Sequence, residues 1–448
     1  FDFGYTWGAY DWRVRRWNVA QALPAKREPI TPILPDVTYP GNVLANGWAD
    51  FRLDAAPGAG LVITATAAAT PTLSLYARWG AQPTQGLADF RALAPTARGD
   101  TVLLIPQSQA DALYIGVYGA EAAAFTLRAS YHARYLADVT PRRAGNAGET
   151  TFTLHGLGFA PGMAVGLCQG GVERIAAAAV TVASPQVASA RFPLAGATPG
   201  LYDLCATWES ETHTLPGAVT LTAGGGPELQ VNFAVPGQHR PNRPYSALLT
   251  YTNAGDSDLP APLFIISNDR GALARTPCDA AWTAGPVQLL GAAPFGPAGV
   301  LAPGATGQIP IHFLGTNDPM HTLVDFTVEA LLPNAETIPW ATYRDAMRPP
   351  AISETAWNTL FPTLTAQLGN TWAAYLGALD ANATRLAARG QPAVCVPELL
   401  ALEVDKARGL PTAAIAGRVV DDRTGQPVRD AQITAYFHND ADEMTFRA

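Results

Sequence analysis

Lysine is nearly missing from this chain: Lys26 and Lys406 are the two lysines, and almost all positive charge sits on arginine. Charge of either sign is sparse, at 15% of 448 residues, and the formal net charge is −8. With no basic run to meet phosphates, the composition excludes an electrostatic footprint for nucleic acid. No apolar stretch approaches the ~18–20 residues that span a bilayer, so no membrane span is expected. The chain opens on Phe1 without a signal-peptide layout, which reads as a mature product or a piece of something longer.

Chemistry-bearing motifs are also missing. There is no G-x-S-x-G elbow and no H-E-x-x-H pair. The run His155-Gly156-Leu157-Gly158-Phe159-Ala160-Pro161-Gly162 grazes a dinucleotide pattern, but its spacing is wrong and it lies between strands. The histidines (His132, His155, His213, His239, His312, His321 and His438) are scattered, with no two at helical ligand spacing. A Lys–Asn isopeptide link needs a buried lysine inside a sandwich. Lys26 falls in a linker and Lys406 in a helix, so none is expected. The four cysteines lack zinc spacing. Cys168 and Cys205 fall in one expected sandwich, either bonded across it or as two buried thiols. Cys278 and Cys395 fall in separate regions and are expected to be buried and free. Together these absences predict a chain that is not an enzyme and holds no resident cofactor.

What is abundant is glycine (41), proline (38) and apolar residues (48%). That mixture suits many short strands joined by turns, and a chain this long divides into several domains. The stretch Thr140–Val165 shows the theme. Thr151, Thr153 and His155 alternate with Phe152 and Leu154, as in a half-buried strand. Small residues from Gly156 to Gly162 then turn the backbone, and Val165 and Leu167 open the next strand.

Along the chain, residues 1–23 read as an aromatic hairpin or the end of a preceding domain. Trp7, Trp12 and Trp17 need a surface there: the next domain, another subunit's sheet, or a sugar ring. Residues 24–40, with Pro24, Pro29, Pro32, Pro35 and Pro40, predict a semi-rigid extended linker. Residues 41–136 hold strand-like runs at sandwich-like intervals. WADFRL, LSLYARWG and LYIGVYGAEAAAFTLRASY in this span resemble the bacterial pre-peptidase C-terminal (PPC) domain, a jelly-roll-like sandwich. Pro71, Thr72 and Ser74 stand where that family often carries an acidic pair, so no metal is expected there.

Residues 137–223 resemble an IPT/TIG Ig-like sandwich, through HGLGFAPGMAV and AGATPGLYDLCATW. Gly224-Gly225-Gly226 reads as a flexible joint. Residues 227–345 resemble a CARDB-like adhesion module through YTNAGDSDLPAP. From Ser353, a reasonable N-cap, Trp357, Leu360, Leu364 and Leu368 keep helical spacing, and Trp372 to Leu386 continue it. Residues 351–410 therefore predict a small helical insert, similar to helical segments in large bacterial surface proteins, some with Rhs repeats. Residues 413–448, with IAGRVVDDRTGQPVRDAQITAY, resemble about half of a carboxypeptidase regulatory-like, transthyretin-type sandwich. The expected fold class is mainly β: tandem β-sandwich domains, jelly-roll and Ig-like, with one small helical insert.

Two candidate sites remain. Asp256, Asp258 and Asp269 crowd one loop region with Asn253 and Asn268. Calcium takes six to eight oxygens of this kind; polar turns bonding their own backbone are the other reading. Trp7, Trp12 and Trp17 are the candidate ligand or assembly residues, with Trp48 and Trp79 as further sugar-stacking candidates. Asn382-Ala383-Thr384 fits a glycosylation acceptor, but inside an expected helix. The leading functional expectation is a non-catalytic extracellular or cell-surface segment of a modular bacterial protein. Structural or adhesive in role, it would assemble into a fibre by strand exchange with other protein subunits or form a homopolymer. The alternatives are a carbohydrate-binding module for surface glycans, or the accessory region of a secreted peptidase or Rhs-type toxin.

Overall fold

The structure is a computed structural model. It describes residues 27–67, 73–96, 99–209, 211–238, 240–278, 282–293, 297–316, 323–387 and 394–410, and the backbone of 434–439 and 442–447. Trp7, Trp12 and Trp17 lie outside the described residues, as does the regulatory-like signature before residue 434. The chain divides into two units, 1–338 with 370–399, and 339–369 with 400–448. The mainly β fold class holds: the described residues form β-sandwiches in series, with four helices after them.

The first sandwich has nine strands: β1 (Ile30–Ile33), β2 (Thr38–Val43), β3 (Gly47–Asp54), β4 (Gly60–Ala67), β5 (Leu73–Trp79), β6 (Phe90–Ala92), β7 (Thr101–Ile105), β8 (Ala112–Gly119) and β9 (Ala123–His132). Its sheets run β1-β3-β8-β5-β6 and β2-β9-β4-β7. Alternation buries Leu53, Ile63, Leu75, Ile115 and Leu127 between them. Within residues 24–40, expected to be linker, 30–33 and 38–40 instead lie in edge strands, β1 parallel on β3 and β2 antiparallel on β9. Pro32 and Pro40 sit on those two edges, where proline's missing N–H is tolerated.

The second sandwich continues with β10 (Tyr135–Thr140), β11 (Arg143–Gly145), β12 (Glu149–Leu157), β13 (Ala164–Gln169), β14 (Val172–Ala176), β15 (Ala179–Ser184), β16 (Val187–Pro193), β17 (Gly200–Trp208) and β18 (Glu211–Thr222). The sheet orders are β10-β12-β16-β15 and β11-β18-β17-β13-β14. Phe152 and Phe192, both fully buried, meet edge to face at 5.5 Å in its core. Cys168 and Cys205 are bonded, with Cα atoms 6.2 Å apart. They sit on the paired strands β13 and β17, so the bond ties neighbours in one sheet and does not cross between sheets.

The third sandwich comprises β19 (Leu229–Ala234), β20 (Pro244–Asn253), β21 (Leu259–Pro260), β22 (Leu263–Asn268), β23 (Ala274–Arg275), β24 (Val287–Leu290), β25 (Val300–Leu301), β26 (Thr306–Leu314) and β27 (Phe326–Leu331). Its sheets are β19-β20-β26-β23 and β24-β22-β27, with β21 paired to β25. Tyr251, Phe264 and Phe313 fill the middle.

The helices are α1 (Trp340–Tyr343), α2 (Glu354–Leu368), α3 (Trp372–Ala387) and α4 (Val396–Ala407). Ser353 caps α2 by accepting from the Ala356 N–H. Trp357 is fully buried in its own unit and donates its indole N–H to the Arg344 carbonyl at 2.8 Å. The expected single helical insert is split, because α3 belongs to the strand-rich unit. There Ala373 donates to the Asn334 carbonyl, and Cys395, expected to be free, is bonded to Cys278 across 117 residues. The acceptor-like Asn382 is fully buried and donates to the Leu399 carbonyl, which leaves its amide no room for a glycan. Among the described residues no helix is long and apolar enough to cross a membrane.

If Phe152 anchors the second core, Phe152→Ala costs about 3–5 kcal/mol of unfolding free energy by denaturant titration. A loss below 1 kcal/mol would show that this aromatic pair is not central to the core.

Candidate functional site: the joints between sandwiches

Only Ala133 and Arg134 separate β9 from β10, so the first two sandwiches abut. Their contact is mainly apolar. Val62 on β4 and Val102 on β7 face away from their own core, yet both are buried. Ala137 and Leu157 of the second sandwich cover them, forming a small second cluster. Arg142 reaches back from the second sandwich, donating to the Pro95 carbonyl at 3.0 Å while its guanidinium also meets Asp138 at 3.1 Å. Beside this joint opens a cleft of about 420 Å³, lined by Asp89, Phe90, Arg91, Asp138, His155 and Gln186 among others.

The second joint is polar, and it is built by the stretch singled out for calcium. Asn253 ends β20 with no exposed surface. Its amide donates to the carbonyls of Ser257 and Leu301, both at 2.8 Å, and its oxygen accepts from Gly255 and Glu228. The turn thus held projects Asp256 and Asp258 onto the second sandwich. Gly145 donates its N–H to the Asp256 carbonyl, and Asp258 donates its own to the Glu149 carbonyl. The Asp258 carboxylate accepts from Thr151 twice, from the backbone N–H at 2.8 Å and the hydroxyl at 2.6 Å.

Asp256 also corrects the expectation of a flexible Gly224-Gly225-Gly226. Its two oxygens accept from the N–H groups of Gly225 and Gly226, each at 3.0 Å, while Gly224 donates to the Asn146 side chain at 3.0 Å. Glycine is needed here for close approach and for backbone sign. A Cβ on Gly224 would meet the Gly145 Cα at 2.8 Å, and Gly226 has φ +97°. Three residues that usually signal mobility are pinned by side chains from both sandwiches.

Asp269 sits elsewhere: it accepts from the Asp325 N–H at 2.9 Å and pairs with Arg270. Asn268 holds its own turn, accepting from Ala272 and Arg270. The structure therefore does not gather Asp256, Asp258 and Asp269 around one point. Among the described residues no group of three or more His, Cys, Asp or Glu side chains stands where it would hold a metal. Trp48 is half-buried: the Arg27 guanidinium lies 4.2 Å over its ring and is itself paired with buried Asp50. Several histidines bond locally, His132 with Ser130, His213 with Glu211 and His312 with Ser246.

Burial pushes the Asp258 carboxyl up to about 6, against the lowering pull of its two Thr151 hydrogen bonds. Burial likewise raises Asp380 on α3, packed against Gly299, to about 7. An unfolded carboxyl ionises near 3.8, so between about pH 4 and 6 the folded state holds the Asp258 proton more tightly. Stability from this group is therefore highest at the acid end and falls as pH rises through that window. Asp258→Asn removes the dependence. The parent should lose on the order of 1–2 kcal/mol relative to the variant between pH 4 and 7, measured by denaturant unfolding at each pH. A difference that does not change with pH would contradict the burial of this carboxyl.

No protein-family model matches the chain, and no curated protein matches it. Solved structures it is similar to include a pre-peptidase C-terminal domain of a collagenase from Bacillus anthracis, at 10% identity, with TM-score 0.21, covering 23% of this chain and 98% of that one. Another is PliG, a periplasmic lysozyme inhibitor from Aeromonas hydrophila, at 20% identity and TM-score 0.18, covering 23% and 96%. Titin domains A168–A170 align at 16% identity and TM-score 0.15, covering 66% and 93%.

Proposed function

We propose that this chain is a non-catalytic, extracellular structural or adhesion segment whose sandwiches are fixed in series. The observation that carries the reading is the pair of closed joints. Consecutive sandwiches meet through a shared apolar cluster at one joint and a directed hydrogen-bond lock at the other. Such joints transmit position along the chain, which is what a spacer or a presenting stalk requires. The two disulfides support the location, because structural disulfides persist in oxidising compartments.

A second reading rests on the cleft beside the first joint. Asp89, Phe90, Arg91, Asp138, His155 and Gln186 are among the residues that line it, a mixture of donors, acceptors and one aromatic side chain that suits a glycan's hydroxyls. A glycan array with the full chain separates the two. Retention of a glycan that is lost in Arg91→Ala supports the second reading, and no retention leaves the structural one.

The structural reading is tested by broad-specificity proteolysis of the full chain. The parent should resist cutting at residues 224–226, and Asp256→Ala should be cut there about ten-fold faster as local opening becomes easier. Rapid cutting of the parent at this point would contradict a fixed series.

A further inference from the structure

The outermost strand of one sheet in the second sandwich lacks what most other edges carry. Exposed edges invite pairing, and natural edges are guarded by charge, proline or cover. Pro40 guards β2, Asp138 sits on β10, Glu173 and Arg174 on β14, and Glu329 on β27. The edge at β24 is covered, since Leu290 donates to the Val394 carbonyl at 2.6 Å. β15 reads Ala-Val-Thr-Val-Ala-Ser, with no charge and no proline. Among the described residues it is paired on one side only, with β16.

Its residues alternate in exposure. Ala179, Thr181 and Ala183 are exposed, while Val180 and Val182 lie half-buried at the margin of the core. The segment Ala179–Ala183 also reads the same in both directions. Turned antiparallel on itself, it sets Thr181 on Thr181, Val180 on Val182 and Ala179 on Ala183. Like-with-like pairs of β-branched residues are favourable cross-strand partners. β7 and β19 are uncharged edges as well, but neither reads the same in both directions: turned about its middle, β7 opposes Thr101 to Ile105 and Val102 to Leu104, and β19, turned about Val231, opposes Leu229 to Phe233 and Gln230 to Asn232.

We propose that β15 pairs antiparallel with β15 of a second copy of this chain, about a two-fold axis through Thr181. The pairing joins two four-stranded sheets into one of eight and covers the two half-buried valines. It is isologous, so it closes on itself at two copies. With a net charge of −8 per chain, two copies meet best where neither presents charge, and this edge meets that condition. The bulge between Val182 and Ser184 ends the regular ladder. So short a contact falls below the ~1,200 Å² of standard stable interfaces. The pair is therefore weak in solution and gains strength where many copies are arrayed side by side.

Cysteine cross-linking of the full chain tests the register, since the native cysteines are bonded to one another. Thr181→Cys should give a disulfide-linked dimer under mild oxidation, because opposed residues stand ~4.5–5.5 Å apart, within disulfide reach. Ala179→Cys lies on the same edge with the same exposure. Its counterpart would be roughly 13 Å away, so it should cross-link at least ten-fold more slowly. In sedimentation, the parent should self-associate at high concentration, and Thr181→Lys should weaken this by ten-fold or more with an unchanged circular dichroism spectrum. Equal cross-linking at both positions, a parent that stays monomeric at every concentration, or undiminished association in a folded Thr181→Lys would each overturn the proposal. Should Thr181→Lys fail to fold, the contrast between the two cysteine variants decides alone. None of these outcomes bears on the joints, so the proposed structural role stands or falls separately.

Discussion

A single buried amide, that of Asn253, sets the geometry on which the middle of this protein depends. It makes four hydrogen bonds with no exposed surface, and all four go to backbone groups of its own sandwich. Leaving even one such group without a partner costs ~1–3 kcal/mol, so the turn after β20 has little freedom to choose another shape. That turn carries two carboxylates outward at fixed positions. One pins the glycines that link the sandwiches, and the other pins Thr151 on the facing strand. The lock is strong because every donor it uses is supplied in place and no long side chain must be ordered to close it.

The two joints solve the same problem with different physics. The first buries valine, alanine and leucine side chains, so it is non-directional and tolerant of pH. The second is directional and contains a carboxyl held above its ordinary range, so its strength depends on pH. The disulfides add a third kind of constraint. Cys168–Cys205 staples two neighbouring strands. Cys278–Cys395 ties residues after α3 to the third sandwich, closing a long loop that would otherwise gain much entropy on unfolding.

Much of the fold was legible because alternation survives wherever one face of a strand meets its own core, as in Phe152 and Leu154 of β12. The joints were legible only in part. Leu61-Val62-Ile63 and Val102-Leu103-Leu104 are apolar without alternation, and such runs mark strands covered on both faces. Thr151 gave no such sign: it occupies the outward register of its strand, yet it is buried beneath Asp258. The glycine triplet suggested mobility because composition reports local freedom, whereas Asn146 and Asp256 arrive from distant positions in the chain. The same reason hid the partner of Cys278, since spacing carries no information about a contact closed across 117 residues. Prolines 32 and 40 looked like a spacer because edge strands tolerate proline as readily as extended linkers do.

The second and third sandwiches should keep one relative placement, which a distance distribution between them reads out. Spin labels at two exposed positions, Glu173 on β14 and Gln308 on β26, can be attached through introduced cysteines, because the native ones are bonded. Pulsed electron spin resonance should give a single narrow distance peak in the full chain, and that peak should broaden when Asn253 is replaced by alanine. A broad distribution in the parent, unaltered by Asn253→Ala, would show that the turn after β20 does not fix the two sandwiches.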